Sequence, residues 1–122
     1  MRVLLMWDDG RVLGCLDDCP TSRLLWDELP VFSRAQTWGN EVFFEAPLDA
    51  ILDTHPKVVV PRGTICYWVQ GSCVAIPFGP TPVSEGKECR LVTAANVLGR
   101  LDGDGRELAS VNAGDWLTLD RC

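Results

Sequence analysis

Residues 64 to 82 read TICYWVQGSCVAIPFGPTP. Two apolar runs, TICYWVQ (64–70) and CVAIPF (73–78), flank Gly71-Ser72, and β-branched and aromatic residues recur in both. Such a pair around a small-residue turn reads as a β-hairpin. The stretch FGPTP (78–82) ends the second strand. Gly79 permits a backbone turn, and Pro80 and Pro82 hold the following residues extended without hydrogen bonds inside the segment. Thr81, set between two restricted residues, has little backbone freedom left to lose. Two uses fit this loop. A preorganised segment lowers the ordering cost of recognition, and prolines on a sheet rim block edge pairing.

The same texture extends outward in both directions. Upstream, VFSRAQTW (31–38) leads through Gly39-Asn40 into EVFFEA (41–46), and KVVV (57–60) precedes a Pro61-Arg62-Gly63 turn. At the N-terminus, RVLLMW (2–7) and RVLGCL (11–16) flank Asp8-Asp9-Gly10, a second hairpin signal. Downstream, ANVLGRL (95–101) and WLTLD (116–120) read as strands. Between them Glu107 to Val111 fits either a paired strand or a short helical turn. One segment breaks the pattern. In DDCPTSRLLWDELP (17–30), Thr21 or Ser22 offers an N-cap, Leu24, Leu25 and Leu29 recur at helical spacing, and Pro30 stops the helix. Many short strands, frequent Gly/Pro turns and one short helix predict a mainly β chain closed into an antiparallel barrel, the helix covering one end.

At 122 residues, with 47% hydrophobic and 23% charged residues, the chain is expected to form one domain over residues 1–122. A net charge of −6 and no Lys/Arg-rich run argue against nucleic-acid binding. No segment has the eighteen or so apolar residues of a membrane span. Asp8 and Asp9 interrupt the first apolar run too early for an export signal. The expected compartment is therefore the cytoplasm, where the six cysteines (15, 19, 66, 73, 89 and 122) read as reduced thiols. No CxxC pair occurs and the one histidine, His55, lies in a Thr-His-Pro turn, so neither a metal nor another cofactor is expected. DGDGRE (102–107) lacks the longer ligand run of an EF-hand and reads as a solvated turn.

Thr37-Trp38-Gly39-Asn40-Glu41, Phe43-Phe44, Arg62-Gly63, Tyr67-Trp68, FGPTP at 78–82 and Asn96-Val97-Leu98-Gly99 follow one another in that order. The series resembles that of small prokaryotic cyclophilin-like proteins, over nearly the whole chain. The resemblance implies a compact cyclophilin-type barrel with fewer helices than true cyclophilins have. It implies no function, since most members are known only by that likeness. Members often carry Trp-Pro-Pro-Gly where this chain has Trp68-Val69-Gln70-Gly71, a less rigid hairpin tip.

The fold name suggests prolyl isomerisation. The Phe-His-Arg and Gln-Gly-Gly-Asp segments of true cyclophilins are absent, and nothing in the spacing singles out Arg34, Arg62 or Arg90 as a donor. No catalytic residue is assigned. Glu41 and Glu45 share a strand face with Phe43 and read as an exposed polar face before a paired acid and base. The aromatics are more suggestive, with five tryptophans in the chain. Each alone reads as core. Together Trp38, Phe44, Trp68 and Phe78 could line a cleft, with Thr81, Ser84 or Asn96 as polar partners. The expected function is a non-catalytic binding module, taking a small molecule or a short peptide near residues 78–84. A divergent prolyl isomerase and a scaffolding subunit of a partner enzyme are the alternatives.

Overall fold

A computed structural model describes residues 1–122. Its strands are β1 (Arg2–Trp7), β2 (Gly10–Leu16), β3 (Val31–Thr37), β4 (Glu41–Glu45), β5 (Lys57–Val60), β6 (Thr64–Trp68), β7 (Cys73–Pro77), β8 (Cys89–Leu101) and β9 (Trp116–Arg121). The helix α1 (Pro20–Glu28) lies between β2 and β3. Strands pair in the order β2-β1-β9-β3-β4-β7-β6-β8, and β8 pairs back onto β2. Eight strands thus close into an antiparallel barrel, and β5 joins only β8. Closure removes the edges that these eight strands would present as an open sheet and leaves the outer edge of β5 unpaired.

Alternation along each strand divides its side chains between two faces. On the inner face Val42 and Phe44 of β4 meet Val74 and Ile76 of β7, and Ile65 and Tyr67 of β6 continue the layer. Polar groups that enter this core are paired. The Tyr67 hydroxyl donates to the Ala46 carbonyl at 2.9 Å and accepts from the Leu48 amide at 3.1 Å. Helix α1 covers one end with Leu25, which is fully buried. Pro20 sits at the helix start, where its missing N–H is not needed. Thr21 and Ser22 do not cap the helix as their positions suggest. Ser22 donates to the Leu98 carbonyl at 2.8 Å, and Thr21 accepts from Asn96 at 3.0 Å, so both tie the helix to β8.

Two features depart from expectation. Strand β8 begins at Cys89, six residues before the apolar run that marks it in the sequence. Its first half pairs with β5 and leaves the barrel wall, while its second half pairs with β6 and β2. Val60, Cys66, Cys89, Leu91 and Ala95 consequently form a second small core on the outer face of β6. The second feature is Arg106–Ser110, which forms a 3-10 turn that buries Leu108 and is tied to β1 by Trp7 donating to Ser110 at 2.8 Å. The preceding DGDGR turn is closed by Asp104 and Arg106, whose side chains pair at 2.9 Å.

Candidate functional site

On β4 the inward position of Val42 and Phe44 puts Glu41, Phe43 and Glu45 on the outer face. Glu45 is exposed there, as expected. Glu41 is only 5% exposed, against the solvated position its sequence suggests, because the outer face is covered at this end. A pocket of about 210 Å³ opens beside it, lined by Trp38, Glu41, Phe43, Trp68 and Val92. A narrower extension reaches beneath β8, between Ala75, Leu91 and Ala95.

Backbone contacts hold the two indoles in place. At the β6–β7 turn a Cβ on Gly71 would lie 2.2 Å from the Trp68 ring, so only glycine lets the tip pack on this face of the indole. Trp38 leads into a turn where its amide donates to the Glu41 carbonyl at 3.0 Å. Gly39 has φ +58, and a Cβ there would meet Pro82 at 2.9 Å. The Asn40 amide donates to the Pro80 carbonyl at 3.0 Å, and the Phe78 amide donates to the Asn40 carbonyl at 2.8 Å. FGPTP therefore braces the turn carrying Trp38 and Glu41, and it lines no part of the pocket.

Glu41 Oε1 and Trp68 Nε1 are both buried without a hydrogen-bond partner. They are the only side-chain nitrogen or oxygen atoms in the protein in that condition. Burial raises the Glu41 carboxyl from its ordinary 4.5 to about 7, with no cation countering it. The thiols that feel its charge are Cys66, pushed up to about 12 chiefly by burial, and Cys89, also raised by burial. The pocket thus has an apolar wall, and behind it lie a carboxyl raised to about 7 by burial and an indole N–H, the Oε1 and Nε1 atoms themselves having almost no exposed surface. No three His, Cys, Asp or Glu side chains come together in a group that could hold a metal ion.

Of the residues read from sequence as ligand contacts, Trp38 and Trp68 meet at this pocket. The others lie elsewhere, for identifiable reasons. Phe44 faces the barrel core and is fully buried, so its neighbour Phe43 supplies the wall instead. Phe78 packs against the barrel core. Thr81 is 6% exposed and donates to the Arg90 carbonyl, and its amide N–H is already donated to Ser84 Oγ at 2.8 Å. Ser84 is further engaged by the Arg90 amide at 3.2 Å. Asn96 is fully buried, bonded to Asp53, Thr21 and Ile51. The three polar partners expected from sequence are thus structural. Glu41, Phe43 and Val92 were missed. The EVFFE alternation could have flagged Glu41, but only the unrecognised first half of β8 shows that its face is covered.

The arginines are also placed away from the pocket. Arg34 stacks on Trp116 at 4.5 Å, Arg62 reaches the Phe78 carbonyl at 3.4 Å, and Arg90 pairs with Glu88. Larger open grooves exist. One of about 430 Å³ runs along β3 beside the stacked Phe32 and Trp116, and one of about 540 Å³ is bordered by Lys57, Arg62 and Arg100. Neither has a buried polar atom left unpaired. All six cysteines are free, Cys122 alone being exposed. No helix is long and apolar enough to cross a membrane.

A family model described as Cyclophilin-like matches residues 1–120. A solved structure is also similar, the solution structure of a hypothetical protein from Archaeoglobus fulgidus. The two share 30% sequence identity and superpose with a TM-score of 0.84, over 100% of this chain and 95% of the archaeal one. No curated protein matches.

Proposed function

The chain belongs to the cyclophilin-like family, and on that premise we propose that it is a binding module whose ligand seats between Trp38 and Trp68. One observation carries this reading: the two buried, unpaired polar atoms of the protein both belong to residues lining one apolar pocket. A buried polar group without a partner costs about 1–3 kcal/mol. Native proteins leave few of them, and those that remain call for a specific explanation. A ligand toward which the Glu41 and Trp68 side chains turn, so that both atoms are bonded, removes that cost on binding. The pocket also has the composition of a small-molecule site, mostly apolar with a few convergent polar groups. Its size admits a small molecule or one side chain of a short peptide, since an apolar cavity of about 150 Å³ already accepts benzene. The working compartment in this proposal is the cytoplasm, which suits six thiols with no disulfide among them.

The indole N–H resonances of the five tryptophans provide the test. A mixture of single-ring fragments and short peptides should move the Trp38 and Trp68 signals and leave Trp116 in place. Trp68→Ala should abolish the Trp38 response while the fold persists. Shifts confined to Trp116, or none at all, would remove the pocket from consideration as the binding site.

A further inference from the structure

The unpaired atoms also define what the ligand must carry, an inference that rests on the binding reading above. Glu41 Oε1 is an acceptor when ionised, and Trp68 Nε1–H is a donor only. A ligand that satisfies both must present an N–H or O–H to the carboxylate and an acceptor to the indole. We propose that the pocket recognises a secondary amide or lactam, its N–H bonded to Glu41, its carbonyl to Trp68, and its apolar body packed on Trp38, Phe43 and Val92.

Other chemistries match the pocket less well. An ammonium group would pair with Glu41 and leave the indole N–H without an acceptor. An anion would accept from Trp68 but meet an acidic side chain with no arginine or lysine lining the pocket. The tertiary amide of an X–Pro bond has a carbonyl but no N–H, so it would leave Glu41 unpaired. Among these groups only the secondary amide offers both a donor for Glu41 and an acceptor for Trp68. Its size is bounded by the volume of about 210 Å³, enough for one ring or a short chain and too small for a nucleotide.

Proton linkage follows from the same geometry. An N–H donor favours the ionised carboxylate, so binding lowers the Glu41 pKa and releases a proton. Affinity should therefore rise with pH through the free value of about 7 and level off above it. Other charged groups around Glu41 do not interfere over this interval. Cys66 and Cys89 on β6 and β8 are held protonated by burial. Glu45, further along β4, is exposed, and Arg90 is paired with Glu88. Arg62 is turned to the Phe78 carbonyl, and Lys57 on β5 borders the separate groove it shares with Arg62.

The experiment compares four ring probes by NMR titration at pH 6 and pH 8: 2-piperidone, N-methyl-2-piperidone, piperidine and cyclohexane. The lactam should bind through Trp38 and Trp68 and bind about tenfold tighter at pH 8 than at pH 6, the ratio set by ionisation of one group near 7. N-methylation should weaken it about tenfold or more. Glu41→Gln should abolish the pH dependence while Trp38 still responds. Equal binding of the two lactams would overturn the amide assignment, as would tighter binding of piperidine. If even cyclohexane leaves Trp38 and Trp68 unmoved alongside the other probes, the pocket itself fails as a binding site and both proposals fall together.

Discussion

The wall formed by β4, β7 and β6 has two faces with opposite treatment of polar groups. Toward the barrel interior, every buried polar side-chain atom is bonded. Tyr67 makes two hydrogen bonds there, and Asn96, on the neighbouring β8, makes three. On the outer face of the same wall, under the first half of β8, Glu41 Oε1 and Trp68 Nε1 are buried with no partner. Both faces bury polar atoms, so burial alone does not set the difference. A low-dielectric interior rewards a completed network and penalises an incomplete one. The inner face uses that rule to fix one fold. The outer face leaves it unfulfilled at two atoms around a cavity, and this is where a ligand has most to contribute.

The largest effect should come from breaking the satisfied side. Asn96→Ala orphans the Asp53 amide, the Ile51 carbonyl and the Thr21 hydroxyl together. Urea unfolding should show a loss of about 3 kcal/mol or more, several times a single neutral bond. A loss below about 1 kcal/mol would mean that the inner network is no better satisfied than the outer one.

On the unsatisfied side the sign reverses. The folded-state Glu41 pKa of about 7 lies above its ordinary 4.5, so between these values the folded protein holds a proton that the unfolded chain has released. Stability contributed by this group falls as pH rises from about 4.5 to about 7 and stays lower above. Glu41→Gln keeps the shape and removes the titration. In the absence of ligand it should therefore be more stable than wild type at pH 8, by up to about 3 kcal/mol, and should lose that advantage by pH 5. A variant less stable than wild type at pH 8 would show that the carboxylate has a partner.

Thr81→Ala lies between the two regions, in the brace behind the pocket. Its hydroxyl bonds the Arg90 carbonyl, so thermal melts should show a loss of about 1–2 kcal/mol. Binding at the pocket should persist once the protein is folded, because Thr81 does not line it. Unchanged stability with weakened binding would restore residues 78–84 as the contact surface. The smallest effect is expected at the exposed Phe32–Trp116 stack, where the rings lie 4.6 Å apart. Phe32→Ala should cost about 1 kcal/mol or less and leave the Trp38 and Trp68 resonances unmoved.

The barrel was legible in the sequence because its signals are local. The Asp8-Asp9-Gly10 and Gly71-Ser72 turns, the alternation in each short strand, and Pro30 after the leucines each mark a boundary without long-range information. The cyclophilin-like motif order added the closure. The site was legible only in part. Trp38 and Trp68 stand out by type, whereas alternation places Glu41 and Phe43 on one face without saying what covers it. The cover comes from ECRLVT (88–93), whose two charges and short alternation, broken at Leu91-Val92, hide a strand stabilised by its tertiary pairing with β5. Thr81, Ser84 and Asn96 misled for a related reason. A polar residue beside an aromatic motif looks the same in sequence whether its partner is a ligand or a backbone amide forty residues away.

The account stands most directly on the state of one carboxyl group. Following the side-chain carboxyl carbon of Glu41 by NMR from pH 4 to pH 9, in protein purified free of ligand, measures it without reference to any probe. A midpoint near 7 is expected, raised by burial with nothing to compensate. A midpoint near the ordinary value of 4.5 would mean that Glu41 is solvated or paired, contradicting the unsatisfied outer face on which the binding site is built.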